Sequence, residues 1–160
     1  MHDESLFFPA LLAASRPKTL LAAVLPVSLG TVLAYTSNES FNYILFGSII
    51  LSTLCIQIAT NLFNDAVDSK KGADTDQRIG PKRMASSGIL TPQSLIIAGL
   101  TFCFMAMTFS LPLIVARGMP IIIIGIISLL LAYGYTGGPW PLAYKGLGEI
   151  FVFLFFGLTA

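Results

Sequence analysis

Between Gln57 and Arg83 the chain carries a run of amides, carboxylates and cations unlike its apolar surroundings. Gln57, Asn61, Asn64, Asp65 and Asp68 recur at i, i+4, i+7, i+8 and i+11, which is a single face of a helix. Four aspartates, Asp65, Asp68, Asp74 and Asp76, share positions 65–83 with five basic residues, Lys70, Lys71, Arg78, Lys82 and Arg83. Carboxylate and amide oxygens suit a hard cation such as Mg²⁺, which keeps several waters and completes its shell with phosphate oxygens. Lys and Arg suit the rest of a phosphate. Together these residue types describe a Mg²⁺–diphosphate site in a hydrophobic protein, where an isoprenoid tail is the natural companion of such a headgroup. A solvated loop of mixed charge has the same composition, and Lys70, Lys71, Lys82 and Arg83 also serve simply to fix topology. Topology needs no amide or carboxylate at a membrane-facing helix end, so Asn64 and Asp68 carry most of the chemical argument. Asp76 fits a loop position or a helix cap equally well.

The elements that must position this stripe are membrane helices. Of 160 residues 55% are hydrophobic and 11% charged, against about 25% charged in ordinary soluble domains. That excludes a disordered chain or an ordinary soluble domain. The net charge of +1 gives no basic field for nucleic acid. Cys55 and Cys103 lie in apolar runs without a CxxC pattern or a neighbouring His, so they read as small hydrophobes rather than disulfide or zinc residues.

Positions 19–38, 40–64, 84–116 and 118–144 contain no charged residue, and each accommodates the roughly 20 residues that a bilayer requires. A fifth apolar run starts at Ile150 and reaches Ala160. The expectation is an all-α polytopic bundle forming one membrane domain over 1–160. Its spans lie near 19–37, 42–64, 93–115 and 118–136, an incomplete fifth covers 148–160, and a cytoplasmic loop covers 65–92. The fifth run reads as truncated, with further helices expected beyond it. Ser37 to Ser40, Arg117-Gly118 and Gly137-Gly138-Pro139 supply the intervening turn chemistry. The N-terminal stretch has acidic residues where a signal peptide needs cations, and its Leu, Phe and Ala content suits an interfacial helix. Eight basic residues fall on the side of the N-terminus and the 65–92 loop and Arg117 alone on the other, which places the former in the cytoplasm.

The pattern Asn64-Asp65-x-x-Asp68-x-x-x-Gly72-x-Asp74 resembles the first aspartate-rich motif of the UbiA superfamily of intramembrane aromatic prenyltransferases. The Gly72-x-Asp74 ending is similar to the 1,4-dihydroxy-2-naphthoate polyprenyltransferase branch of menaquinone synthesis. So are Arg16-Pro17-Lys18-Thr19, Gly80-Pro81-Lys82-Arg83 with Ser86-Ser87-Gly88, and the stretch that runs from Tyr135-Thr136-Gly137-Gly138-Pro139 through Tyr144-Lys145 to Glu149. The resemblance implies that Asn64, Asp68 and Asp74 hold Mg²⁺ with Asp65 assisting. It implies that Arg78, Lys82 and Arg83 grip the diphosphate, and that Tyr135, Tyr144 and Lys145 line the same cavity. Tyr residues are also enriched at membrane interfaces for reasons unconnected with catalysis.

The implied reaction joins a polyprenyl diphosphate to 1,4-dihydroxy-2-naphthoate, with loss of CO₂ and diphosphate, giving demethylmenaquinone in a bacterial cytoplasmic (inner) membrane. Family members are typically bundles of nine spans with a second aspartate-rich motif in a later loop, which this chain does not reach, so the 160 residues alone are expected to be inactive. Three alternatives stay open: a prenyltransferase for another aromatic acceptor, an ion-coupled transporter using the Asn/Asp stripe, and a non-catalytic membrane subunit.

Overall fold

The computed structural model describes residues 4–38, 41–70, 84–85, 88–139, 141–146, 150 and 153–154. Among the described residues the chain is all-helical: a 3-10 turn Glu4–Leu6, then α1 (Phe7–Ala14), α2 (Pro17–Asn38), α3 (Tyr43–Lys70), α4 (Pro92–Arg117), α5 (Met119–Gly134) and a 3-10 turn Leu142–Lys145. At 1.5 Å per residue, α2, α3 and α4 measure about 33, 42 and 39 Å, and the hydrocarbon core is about 30 Å thick. All three are long and apolar enough to cross a membrane, whereas α5 is a shorter apolar helix.

Local chemistry explains most boundaries. Pro17 disfavours helical backbone at the preceding residue, and Arg16 adopts φ +52°, a left-handed conformation uncommon for a residue other than glycine. The chain therefore turns between α1 and α2 instead of continuing. Asn42 caps α3 through Oδ1, which accepts from the N–H groups of Ile44 and Leu45 at 3.0 Å each. Thr91 caps α4 by accepting from the Ser94 N–H at 3.1 Å. Gly118, at φ +67°, reverses the chain in one residue between α4 and α5. At the α2–α3 connection Phe41 packs against the rings of Tyr35, Tyr43 and Phe46, with centroids 6.2, 4.8 and 5.3 Å away. Such an aromatic group suits a membrane–water boundary.

α3 is the central element, packed most extensively against α4 and also against α2, α5 and α1. Its buried residues Ser48, Ser52, Cys55, Ala59, Leu62 and Ala66 alternate spacings of four and three. Small side chains at this repeat let membrane helices approach closely, which matters where lipid is as apolar as the protein. The approach is tightest where the Phe63 ring lies over Gly99 of α4: a Cβ on Gly99 would fall 2.5 Å from its Cε1. Leu62 and Ala66 join Leu90, Leu95, Ala10 and Ala14 in one buried cluster. This packing keeps 65–70 helical, although the sequence reading begins a loop at 65. On α4, Ile97, Leu100, Phe104, Met107, Leu111 and Val115 form the outward apolar face.

Gly99→Val is expected to separate α3 from α4 and cost on the order of 1–3 kcal/mol by overpacking, read as a lower thermal unfolding midpoint in detergent. A Cβ at Gly125 meets nothing within 4 Å, so Gly125→Ala should leave the midpoint unchanged or raise it. Equal midpoints for Gly99→Val and the parent would remove Gly99 as the point of closest approach.

Candidate functional site

The C-terminal end of α3 meets the start of α2, the turn before α4 and the end of α5. Three of its polar side chains make these junctions. Asn61, 4% exposed, donates through Nδ2 to the Ser15 carbonyl at 2.8 Å and to Thr19 Oγ1 at 3.1 Å. It therefore holds the α1–α2 turn at which Arg16 takes its left-handed backbone. Arg16 is partly buried, and its Nη2 atom is buried within this corner.

Asp65 is 1% exposed and faces the segment leading into α4. Its Oδ2 accepts from the Met84 N–H at 3.0 Å and its Oδ1 from the Ala85 N–H at 3.2 Å. Met84 and Ala85 begin a turn closed by the Gly88 N–H on the Ala85 carbonyl and the Leu90 N–H on the Met84 carbonyl, at 3.1 and 3.3 Å. Leu90 and Leu95 carry that turn into the cluster against Leu62 and Ala66. A buried carboxylate is costly unless it receives hydrogen bonds, and two main-chain donors meet that need.

Asn64 is partly buried, and its Oδ1 accepts a 2.7 Å hydrogen bond from Thr136 Oγ1, just beyond α5. Asp68 lies one helical turn further along the same face and is also buried. Beside Asn64, Phe63 meets Tyr133 edge-on at 5.7 Å. Tyr135 is partly buried, and its carbonyl accepts from the Ala143 N–H at 2.8 Å, which draws the turn Leu142–Lys145 back to the end of α5.

The structure thus gathers Asn64, Asp65, Asp68 and Tyr135 at one end of the bundle. The backbone of Tyr144 and Lys145 lies in the adjoining 3-10 turn. Asp74, Arg78, Lys82 and Arg83 fall outside the described residues, as does most of the expected fifth span. Among the described residues no three His, Cys, Asp or Glu side chains form a metal cluster. The oxygens of Asn64 and Asp68, one turn apart, are the kind of hard donors that fit Mg²⁺ as part of a set completed by water and phosphate. The sequence places Asn61 in the polar stripe without assigning it a role, and gives Thr136 no role either. An amide surrounded by apolar residues inside a span is itself a signal for Asn61, but only the folded chain reveals Thr136 beside Asn64.

Among curated proteins, the chain is similar to the 1,4-dihydroxy-2-naphthoate octaprenyltransferase of Bacillus subtilis (strain 168), with 36% identity over 137 residues, or 86% of this chain and 44% of that protein. The protein of the same name from Escherichia coli (strain K12) is 36% identical over 154 residues, covering 92% of this chain and 50% of its own length. The UbiA prenyltransferase domain-containing protein 1 of Dictyostelium discoideum is 29% identical over 153 residues, covering 92% and 46%. The chain spans about half the length of the curated relatives it matches. No solved structure matches it. The model of the UbiA prenyltransferase family matches residues 23–160, and with its apolar helices and the Asn64 to Asp68 part of the motif on α3 the chain belongs to that family of integral membrane proteins.

Proposed function

We propose that this chain supplies the donor half of an intramembrane enzyme transferring a polyprenyl group from its diphosphate to 1,4-dihydroxy-2-naphthoate. The observation that carries the reading is the pair Asn64 and Asp68, one turn apart on α3, held at the end of an apolar bundle. The names of the relatives support the naphthoate acceptor and the polyprenyl donor. In this reading Asn64 and Asp68, with Asp74, would hold Mg²⁺ beside the diphosphate. The bound cation would supply charge neutralisation to the departing diphosphate.

Arg78, Lys82 and Arg83 take the remaining negative charge of the leaving group, which helps the allylic carbon–oxygen bond break with its electron pair leaving on the diphosphate. The electron-rich naphthalene ring captures the allylic carbon at the position bearing the carboxylate. Loss of CO₂ then returns the carbon–carbon bond pair to the ring, so no ring proton need be abstracted, and the reduced, hydroquinone form of demethylmenaquinone results. Tyr135, Tyr144 and Lys145 would flank the acceptor, as the family resemblance implies. In a bacterial inner membrane, with the α3 end on the cytoplasmic side, the charged headgroup is drawn from the cytosol and the tail stays in lipid.

Asp65 takes a different part. Both of its oxygens receive main-chain N–H groups, so it anchors the Met84–Ala85 backbone and leaves cation binding to its neighbours.

Membranes carrying this chain as part of a full-length enzyme of the length its relatives have, given Mg²⁺, octaprenyl diphosphate and 1,4-dihydroxy-2-naphthoate, should yield the prenylated, decarboxylated naphthalene-1,4-diol. They should be inert with 4-hydroxybenzoate and lose activity in EDTA. Asp68→Ala should reduce the rate on the order of 100-fold or more, since even groups supporting a metal ligand are commonly worth 10–100-fold. Preferential use of 4-hydroxybenzoate would overturn the acceptor, and full activity in Asp68→Ala would remove the metal assignment. For Asp65→Ala the expected result is a loss of about 2 kcal/mol in stability, because two part-buried main-chain N–H groups lose their acceptor. Mn²⁺ affinity in the folded fraction should change little. An Mn²⁺ affinity that falls as far as in Asp68→Ala would instead make Asp65 a ligand.

A further inference from the structure

We infer that Thr136 is a positioning residue for Asn64, fixing which face of the side-chain amide is turned to a cation. The inference rests on the cation–diphosphate reading of Asn64 and Asp68 given above.

Thr136 is buried, and its Oγ1 donates to Asn64 Oδ1 at 2.7 Å across a sequence separation of 72 residues. An unrestrained Asn side chain can present either its oxygen or its NH₂ group to a neighbour, and only the oxygen is a cation ligand. A hydroxyl donor on one lone pair of Oδ1 marks that atom as the acceptor and leaves its second lone pair for another partner. Nδ2 is turned away from the hydroxyl. Hydrogen-bonded support of this kind commonly accompanies ligating oxygens.

The backbone that carries Thr136 is itself fixed. The Gly137 N–H donates to the Tyr133 carbonyl at 2.9 Å, and Gly138 takes φ +75°. The Tyr133 ring lies against Gly137 so closely that a Cβ there would sit 2.7 Å from the ring Cζ. The other side of the contact is Phe63, whose ring meets Tyr133 edge-on and covers Gly99. Phe63 precedes Asn64 on α3, so donor and acceptor are registered by the same aromatic stack. A side chain at Gly137 would lift Tyr133 and move the hydroxyl.

The test measures binding of Mn²⁺ with inorganic diphosphate to the purified protein in detergent, by the loss of the free Mn²⁺ resonance. Thr136→Val removes the donor and keeps the shape, and it should weaken binding about 10-fold with little change in unfolding midpoint. Thr136→Ser restores the hydroxyl and should bind within about 2-fold of the parent. In an Asn64→Ala background Thr136→Val should have no further effect, because the two act through one interaction. Parent-like binding by Thr136→Val, while Asn64→Ala loses binding, would overturn the positioning role and leave the site reading intact. Parent-like binding by Asn64→Ala would overturn the site reading itself. If Thr136→Val does not fold, Thr136→Cys keeps a similar volume with only a weak donor and must still bind more weakly than Thr136→Ser. Equal binding by the two overturns the inference.

Discussion

Inside hydrocarbon there is no water to satisfy a stray amide or carboxylate, so a polar group on a buried helix face must be met by another part of the protein. One end of this bundle is organised by that requirement. Asn61 reaches the turn between α1 and α2, Asn64 reaches the end of α5, and Asp65 reaches the segment before α4. Association of apolar helices in lipid has little hydrophobic drive of its own, so these ties decide which neighbours gather around α3. The residues that define the site therefore also define its walls.

The ties work because the helices already lie close together. Ser48, Ser52, Cys55 and Ala59 give α3 a low profile along most of its length, and Gly99 admits the Phe63 ring on the α4 side. Phe63 then fixes Tyr133, Tyr133 rests on Gly137, and Thr136 arrives next to Asn64. Each step depends on a small residue opposite a large one. Steric fit along the apolar part of the bundle is thus transmitted to a polar contact at its end.

Much of this was legible in the sequence. Charge-free intervals marked the apolar helices, and the spacing from Gln57 to Asp68 put the polar residues on one face of a helix that the structure continues to Lys70. The all-helical class follows from those features, and the family was legible only in the resemblance carried by the Asn64 to Asp74 pattern and its companion stretches. What escaped was pairing. Asn61 belongs visibly to the stripe, but its partners lie 46 and 42 positions away, and periodicity within one helix carries no information about another. The same holds for Thr136, which reads from sequence as one residue of a turn, and for Gly99, which reads as one small residue in a long apolar run. Asp65 is a different case: the motif gives it an assisting part beside the cation ligands, and its carboxylate is engaged by main-chain donors that no side-chain pattern announces.

The form of that last contact has a bearing on how the segment before α4 can vary. Asp65 grips N–H groups that every residue except proline possesses, so the clamp is indifferent to the side chains at positions 84 and 85. Those positions can drift in identity, within the limits of the apolar cluster they adjoin, without loosening the dock. Proline at either one would remove a donor outright, and a carboxylate lacking its full complement would be left facing the interior. The constraint imposed by Asp65 is therefore written in the backbone of its partner, and comparison of side chains at 84 and 85 would not reveal it.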